Sequence, residues 1–182
     1  MILRRGIYAQ RNVGTGHTTL IPGDGTTTWD SLSGTTGSLG KILPSSTAIG
    51  WGKVGRFGTV PSATDFEYTF GLEYMAGQSS NGFMMVGVTD SVSGTGYANM
   101  KYNFYLNSGS QWQIWENGSG IGGAIGTWIV TDTFKIKRVG TTVTYYKNGA
   151  LIYTSLVSSS TDIEASFDIN RYLGAKDNQI IY

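Results

Sequence analysis

Two pairs of carboxylates have a spacing that could serve glycoside hydrolysis. Asp65 and Glu67 are two residues apart, and Asp162 and Glu164 repeat this spacing, so both members of a pair point to one face of a β-strand. A retaining glycosidase needs a nucleophilic and a proton-donating carboxylate about 5 Å apart. Asp65 lies at the start of its predicted strand, where a carboxylate is expected to cap a turn. Hydrolysis is therefore the least favoured of three functional hypotheses.

Aromatic side chains are the most abundant candidates for binding chemistry, because the chain has five Trp, eleven Tyr and seven Phe residues. On the predicted strand 111–116, Gln113 and Trp115 point to the face opposite Trp112. One face must fill the core, and the other is free to present flat rings and neutral polar groups to an uncharged sugar. Alternatively, these side chains cover a protein contact or pack under loops. The predicted binding residues are Tyr105, Gln113, Trp115 and Tyr146.

Metal and thiol chemistry have little support in the sequence. The chain has no cysteine and one histidine, His17, whose nearest acid is Asp24, whereas zinc sites usually need three or four ligands. A lone calcium ion at Asp90 and the following residues 91–96 is an alternative that lacks a second nearby acid. We therefore predict no metal, no cofactor and no enzymatic activity.

Charge and hydropathy exclude two classes of partner. Lys and Arg number 13 and Asp and Glu number 12, which gives a net charge of +1, so no basic stripe is available for a nucleic-acid backbone. No apolar run approaches the roughly 20 residues that cross a bilayer. We predict neither nucleic-acid binding nor membrane insertion.

The chain reads as short antiparallel strands. Phe134, Ile136 and Arg138 alternate with Lys135 and Lys137, as on a half-buried strand. Val139-Gly140 and Asn148-Gly149 then predict two tight turns. More than ten such strands and no helical period predict an all-β fold, a two-sheet antiparallel β-sandwich. The glycine-rich residues 118–126 are expected to be a flexible loop.

The first 26 residues differ from the rest. They contain many glycines and few large apolar side chains, and we predict an extended N-terminal arm (1–26) that attaches to a neighbouring subunit, followed by the sandwich (27–182). An edge strand formed by Ile2-Leu3 or Ile7-Tyr8 is the alternative. The predicted assembly residues of the arm are Arg4, Arg5, Tyr8 and Arg11.

Residues 27–182 resemble the concanavalin A-like lectin and glucanase jelly roll, above all the SPRY-like or laminin-G-like modules of bacterial surface proteins and phage virions. The resemblance is carried by Gly50-Trp51-Gly52 and by residues 66–70, 85–88, 102–106, 113–118, 132–136 and 143–155. It implies two packed sheets, one of them concave and presented to a glycan or a partner protein. Glucanases of this fold carry Glu-x-Asp-x-x-Glu on one strand, and that string is missing from this sequence.

These observations predict a non-catalytic structural or adhesion module of a phage or viral virion, such as a capsid decoration, fibre or tail protein. Its expected location is a virion or extracellular surface. Its expected partners are neighbouring assembly proteins and host glycans, in a homo-oligomer or a lattice. A free carbohydrate-binding module or adhesin is the second hypothesis, and a glycoside hydrolase with a degenerate site is the third.

Overall fold

A computed structural model describes residues 17–90 and 96–182, which form two antiparallel β-sheets. The first eight strands are β1 (Thr19–Leu20), β2 (Trp29–Ser33), β3 (Thr35–Ser38), β4 (Lys41–Pro44), β5 (Lys53–Val60), β6 (Phe66–Tyr74), β7 (Phe83–Asp90) and β8 (Tyr102–Leu106). The remainder are β9 (Gln111–Glu116), β10 (Ser119–Thr127), β11 (Thr133–Val139), β12 (Thr142–Lys147), β13 (Ala150–Thr154), β14 (Ile163–Arg171) and β15 (Leu173–Ile181). A 3₁₀-helix, Tyr97–Asn99, precedes β8. No helix in the two described ranges is long and apolar enough to cross a membrane.

The strands are distributed over an eight-stranded and a seven-stranded sheet. The eight-stranded sheet has the order β13-β12-β11-β6-β15-β4-β3, with β1 paired to the end of β15. The seven-stranded sheet has the order β10-β9-β8-β7-β14-β5-β2. Neighbours such as β6 and β15 are far apart in the chain, so connections cross between the sheets. The predicted two-sheet antiparallel sandwich is confirmed.

The core lies between the two sheets and is rich in aromatic rings. On β6, Tyr68 and Phe70 are buried while Glu67 points outward, as the period of two requires. The Phe70 ring lies 5.4 Å from that of Phe134 in the same sheet and 5.9 Å from that of Phe104 in the opposite sheet. Each fully buried side chain of this size stabilises the fold by about 1.5–3 kcal/mol.

Two Asn-Gly pairs form tight turns, one of which is the turn predicted at Asn148-Gly149. Asn117 and Gly118 have φ angles of 49° and 74°, and Asn148 and Gly149 have 50° and 81°. Two consecutive positive φ angles define the type I′ turn, whose twist matches that of a β-hairpin. The turns connect β9 to β10 and β12 to β13.

The prediction of a flexible loop at residues 118–126 is wrong, because β10 runs through most of this segment as a partner of β9. Backbone hydrogen bonds hold an edge strand without any side-chain alternation in its sequence. The strand also needs small residues for packing. A Cβ atom on Gly126 would lie 2.6 Å from the Trp112 ring, so the glycine lets the strand pass over the indole.

Part of the predicted arm lies on the sandwich. Thr18 donates a backbone hydrogen bond to Tyr182 (2.6 Å) and accepts one from it (2.9 Å), and β1 continues this pairing along β15. The assembly residues Arg4, Arg5, Tyr8 and Arg11 lie outside the described residues. Their attachment to a neighbouring subunit stays a prediction.

Candidate functional site

Five aromatic rings gather on the outer face of the seven-stranded sheet. We call this group, Trp51, Phe83, Tyr97, Tyr105 and Trp115, the aromatic cluster. Phe83, Tyr105 and Trp115 come from the adjacent strands β7, β8 and β9, whose alternate side chains fill the core. Trp51 lies in the connection that precedes β5, and Tyr97 begins the 3₁₀-helix. The sheet therefore supplies three rings and two connections supply the others.

The rings pack in a continuous series. Centroids are 5.2 Å apart for Tyr105 and Trp115, at an interplanar angle of 26°. Trp51 lies 6.5 Å from Tyr105 and 5.0 Å from Tyr97, and Phe83 contacts Trp51 at 4.9 Å. All five side chains remain partly accessible to solvent. Burial raises the pKa of the Tyr105 phenol, so its hydroxyl stays protonated at neutral pH and can donate a hydrogen bond.

Gln113 adds a neutral polar group beside the cluster. Its Oε1 accepts a hydrogen bond of 2.9 Å from the indole Nε1 of Trp115, which orients both side chains and leaves the amide N–H groups as donors. Gly120 of β10 lies across from Trp115. A Cβ atom there would be 2.8 Å from the Gln113 amide nitrogen and 3.2 Å from the Trp115 nitrogen. The glycine thus leaves room for the oriented pair.

Asp168 of β14 fastens the two connections that carry Trp51 and Tyr97. Its Oδ1 accepts a 2.8 Å hydrogen bond from the Gly52 N–H, and its Oδ2 accepts a 2.9 Å bond from the Tyr97 N–H. Burial raises the pKa of the Asp168 carboxyl, while both N–H groups and the nearby Lys53 ammonium oppose that shift. The carboxylate is 1% exposed, so its hydrogen bonds are shielded from water.

Lys53 of β5 forms further hydrogen bonds to the connection that carries Trp51 and to β14. Its ammonium donates to the carbonyl oxygens of Gly50 (2.7 Å) and Asn170 (2.9 Å). Burial lowers the pKa of Lys53, and the charge of Asp168 partly restores it. The connection carrying Trp51 is therefore held at Gly50 as well as at Gly52.

The four binding residues predicted from sequence do not share one surface. Tyr105, Gln113 and Trp115 lie together on the seven-stranded sheet, but Tyr146 lies on β12 of the eight-stranded sheet. Its ring there faces the Lys135 ammonium, 5.3 Å from the ring centroid. Because the outer faces of a sandwich point in opposite directions, placing Tyr146 with the other three was wrong.

Sequence reasoning missed Phe83, Tyr97 and Asp168, and it used Trp51 only as part of a fold resemblance. Gly50-Trp51-Gly52 had a usable signal, because glycines on both sides of a large ring allow positive φ angles, and Gly50 and Gly52 have φ angles of 145° and 97°. Tyr97 had none, because it lies outside every alternating run. Asp168 alternates with core residues on β14, and nothing local distinguishes it from a solvated carboxylate.

The carboxylate pairs considered for hydrolysis have structural partners. Glu67 accepts hydrogen bonds from Lys135 (2.9 Å) and Lys137 (2.8 Å), and the bond from Lys137 is the main cause that holds the pKa of Glu67 below its usual value. Such a carboxyl is a poor proton donor. Asp65 accepts the Gly140 N–H at 2.7 Å, which is the turn-capping role expected of it.

The second carboxylate pair is engaged in the same manner. Asp162 accepts the Ser62 N–H at 2.6 Å. Glu164 forms an ion pair of 3.3 Å with Arg56 and accepts from the Thr59 hydroxyl at 3.4 Å. Both acids therefore tie the connection around residue 62 and the strand β5 to β14.

The described residues contain no group of three or more His, Cys, Asp or Glu side chains placed to hold a metal ion. His17 lines a depression of about 380 Å³ together with Asp65 and Glu67. Asp90 lies 3.4 Å from the Lys101 ammonium and accepts a hydrogen bond from the Thr161 hydroxyl. Residues 91–95 of the alternative calcium loop lie outside the described ranges.

No protein-family model and no curated protein sequence matches the chain. Solved structures do match, at low identity. A lectin from Bauhinia forficata in complex with GalNAc has a TM-score of 0.58 and 11% identity, over 91% of this chain and 96% of the lectin. The exoplasmic/lumenal domain of VIP36 in its Ca²⁺/Man3GlcNAc-bound form has a TM-score of 0.55 and 10% identity, over 85% of this chain and 83% of that domain. The chain has the concanavalin A-like jelly-roll fold.

The jelly roll by itself does not decide the function. A native glycosidic hydrolase matches this chain with a TM-score of 0.51 and 9% identity, over 91% of this chain and 95% of the hydrolase. A lectin and a hydrolase thus share one architecture, and function must be argued from side chains. Among the described residues, the aromatic cluster with Gln113 places ring faces and neutral hydrogen-bonding groups on one outer face of this jelly roll.

Proposed function

We propose that the chain is a non-catalytic carbohydrate-binding module, and that it binds a neutral glycan on the outer face of the seven-stranded sheet. The aromatic cluster with the oriented Gln113 amide carries this proposal. Ring faces pack against the C–H faces of a pyranose, and amide and phenol groups supply hydrogen bonds to its hydroxyls. An uncharged ligand is favoured because Asp168 and Lys53, the charged groups behind the cluster, are buried and already bound.

A non-catalytic role is favoured because the candidate catalytic carboxylates already have hydrogen-bond and ion-pair partners. Each of the two carboxylate pairs is engaged by lysines, an arginine or backbone N–H groups. The alternative of a degenerate hydrolase has its own test, because turnover of a β-glucan that disappears in Glu67→Gln would support it. We expect no turnover by the wild-type protein.

Replacing Trp115 by alanine should weaken glycan binding about tenfold or more. The change removes a ring worth about 1.5 kcal/mol in a good stacking contact and releases Gln113 from its hydrogen bond. An array of neutral glycans that includes GalNAc and Man3GlcNAc would select the probe, because the matched lectin and VIP36 domain were solved with these sugars. Calorimetric titration would then give the affinity.

Tyr146→Ala is the matched control for Trp115→Ala. Tyr146 is a partly exposed aromatic residue on the opposite sheet, so its removal should leave the affinity unchanged. If the wild-type protein binds no glycan on the array, the proposal is contradicted. Equal losses for the two variants would contradict the location of the site.

A virion role, the more specific prediction, depends on the N-terminal segment. We propose that residues 1–16 join the module to neighbouring copies or assembly proteins on a virion or extracellular surface. Deleting residues 1–16 while keeping β1 should leave a folded protein that no longer assembles. Native mass spectrometry of both forms measures this, and an unchanged oligomeric mass in the truncated form would count against it.

A further inference from the structure

The aromatic cluster has two halves that are built differently. Phe83, Tyr105 and Trp115 extend from hydrogen-bonded strands, so the sheet itself fixes their spacing. Trp51 and Tyr97 extend from connections. A connection keeps its side chains in place only when its backbone is fastened to something rigid.

Both connections donate backbone hydrogen bonds to the same side chain, that of Asp168. It lies on β14, which is paired on both sides, with β5 and β7. Each carboxylate oxygen accepts one backbone N–H, from Gly52 at 2.8 Å and from Tyr97 at 2.9 Å. Gly52 directly follows Trp51, and the second donor is Tyr97 itself. The Trp51 and Tyr97 rings lie 5.0 Å apart. A single carboxylate therefore sets the positions of two rings relative to the sheet.

A carboxylate is the one common side-chain group that fits this geometry. Both of its oxygens accept, whereas an amide of the same shape offers one acceptor and one donor. An asparagine would satisfy only one of the two N–H groups and would direct its own N–H₂ toward the other. The requirement for two acceptors separates this role from ordinary filling of space.

We infer that Asp168 is a positioning residue of the proposed glycan site, which holds Tyr97 against Trp51 and Trp51 against Tyr105 and so sets the affinity for a neutral glycan. The inference rests on the proposed function. It adds that the site is incomplete without the two connections, and that a residue beneath the surface controls binding without touching the sugar.

The test is Asp168→Asn in the full chain. Its affinity for the neutral glycan with the strongest array signal should fall at least about tenfold in calorimetric titration, since one ring of the Trp51–Tyr97 pair loses its anchor. Amide hydrogen exchange supplies a readout that does not depend on binding. At least one of the Gly52 and Tyr97 amides should exchange about tenfold faster or more, while the Val86 amide in β7 keeps its protection.

Asp162→Asn is the matched control. Asp162 also accepts a backbone N–H, from Ser62 at 2.6 Å, but it uses one oxygen, which the amide retains. The Asp162→Asn variant should bind glycan like the wild-type protein.

If Asp168→Asn does not fold, Gly52→Ala replaces it as the test variant. A Cβ atom at position 52 meets nothing within 4 Å, but alanine is strained at a φ of 97°. Its affinity should fall at least about threefold.

The outcomes separate the two claims. A wild-type protein that binds no glycan contradicts the proposed function and the inference with it. A wild-type protein that binds, with Asp168→Asn or its substitute Gly52→Ala binding equally well, contradicts the inference alone. A variant that loses thermal stability but retains affinity in its folded state would make Asp168 merely structural, which also overturns the inference.

Discussion

Replacing Arg138 by methionine should lower the free energy of unfolding by about 3–5 kcal/mol, because it removes the hydrogen-bond donors of a fully buried cation. Arg138 is 0% exposed and lies on the core-facing side of β11. Its guanidinium donates to the carbonyl oxygens of Thr64 (2.7 Å), Thr161 (2.8 Å) and Pro61 (3.0 Å). It also donates to the Ser159 hydroxyl at 3.1 Å.

The loss should exceed that of an ordinary surface ion pair for a specific reason. Methionine keeps an apolar stem but ends where the guanidinium begins, so several backbone carbonyls lose their donor away from water, at about 1–3 kcal/mol for each unsatisfied group. These carbonyls belong to two connections, before β6 and before β14. We therefore expect both connections to loosen along with the global loss.

Urea unfolding followed by tryptophan fluorescence measures the difference in the free energy of unfolding. Two further variants serve as comparisons. Arg138→Lys keeps the charge but not the planar fork of donors, so it should recover only part of the stability. Lys137→Met changes the adjacent residue of β11, whose partly exposed ion pair with Glu67 is worth at most about 1 kcal/mol. Equal midpoints for Arg138→Met and Lys137→Met would refute the role of the buried guanidinium.

Replacing Glu116 by glutamine should stabilise the protein at pH 7 by about 1 kcal/mol and have little effect at pH 4. Glu116 is 3% exposed on the core-facing side of β9 and accepts a 3.0 Å hydrogen bond from the Tyr145 hydroxyl of the opposite sheet. Burial raises the pKa of its carboxyl above the usual 4.5, against the opposing effects of Ser155 and Tyr145.

The sign of this effect follows from linkage. A carboxyl whose folded pKa lies above its unfolded value contributes stability below the unfolded pKa and loses that contribution as the pH rises through the folded pKa. The glutamine amide resembles the protonated acid at every pH and still offers an oxygen to Tyr145. The advantage of Glu116→Gln should therefore develop as the pH rises above about 4.5.

Glu67→Gln is a control of opposite sign. The pKa of Glu67 is lowered chiefly by its hydrogen bond from Lys137, so its contribution is present at neutral pH and is lost as the pH falls through the folded pKa. This variant should be slightly destabilised at pH 7 and indistinguishable from wild type in acid. Urea midpoints measured from pH 4 to 8 test both changes. A Glu116→Gln difference that is constant across this range, or destabilising at pH 7, would contradict the account.

Much of the fold was predictable because strands and turns are local. The alternation at residues 134–138 correctly assigned Phe134, Ile136 and Arg138 to one face, and the Asn-Gly pairs at 117–118 and 148–149 form hairpin turns. The same logic grouped Gln113 and Trp115 on one face of β9. By contrast, β10 contains glycines at positions where a strand usually alternates apolar and polar side chains. Its pairing with β9 therefore left no pattern in the sequence.

The sequence by itself determined an all-β sandwich, the faces of those strands whose side chains alternate, and the lack of a glucanase string. Only the tertiary structure decided which strands share a sheet, and with that which aromatic residues meet. Tyr146 and Trp115 have equivalent local patterns but lie on opposite sheets, because strand order depends on pairings between distant segments such as β6 with β11 and β7 with β14. Asp168 meets Gly52 across 116 positions of the chain, and a contact of that separation leaves no periodic signal in sequence.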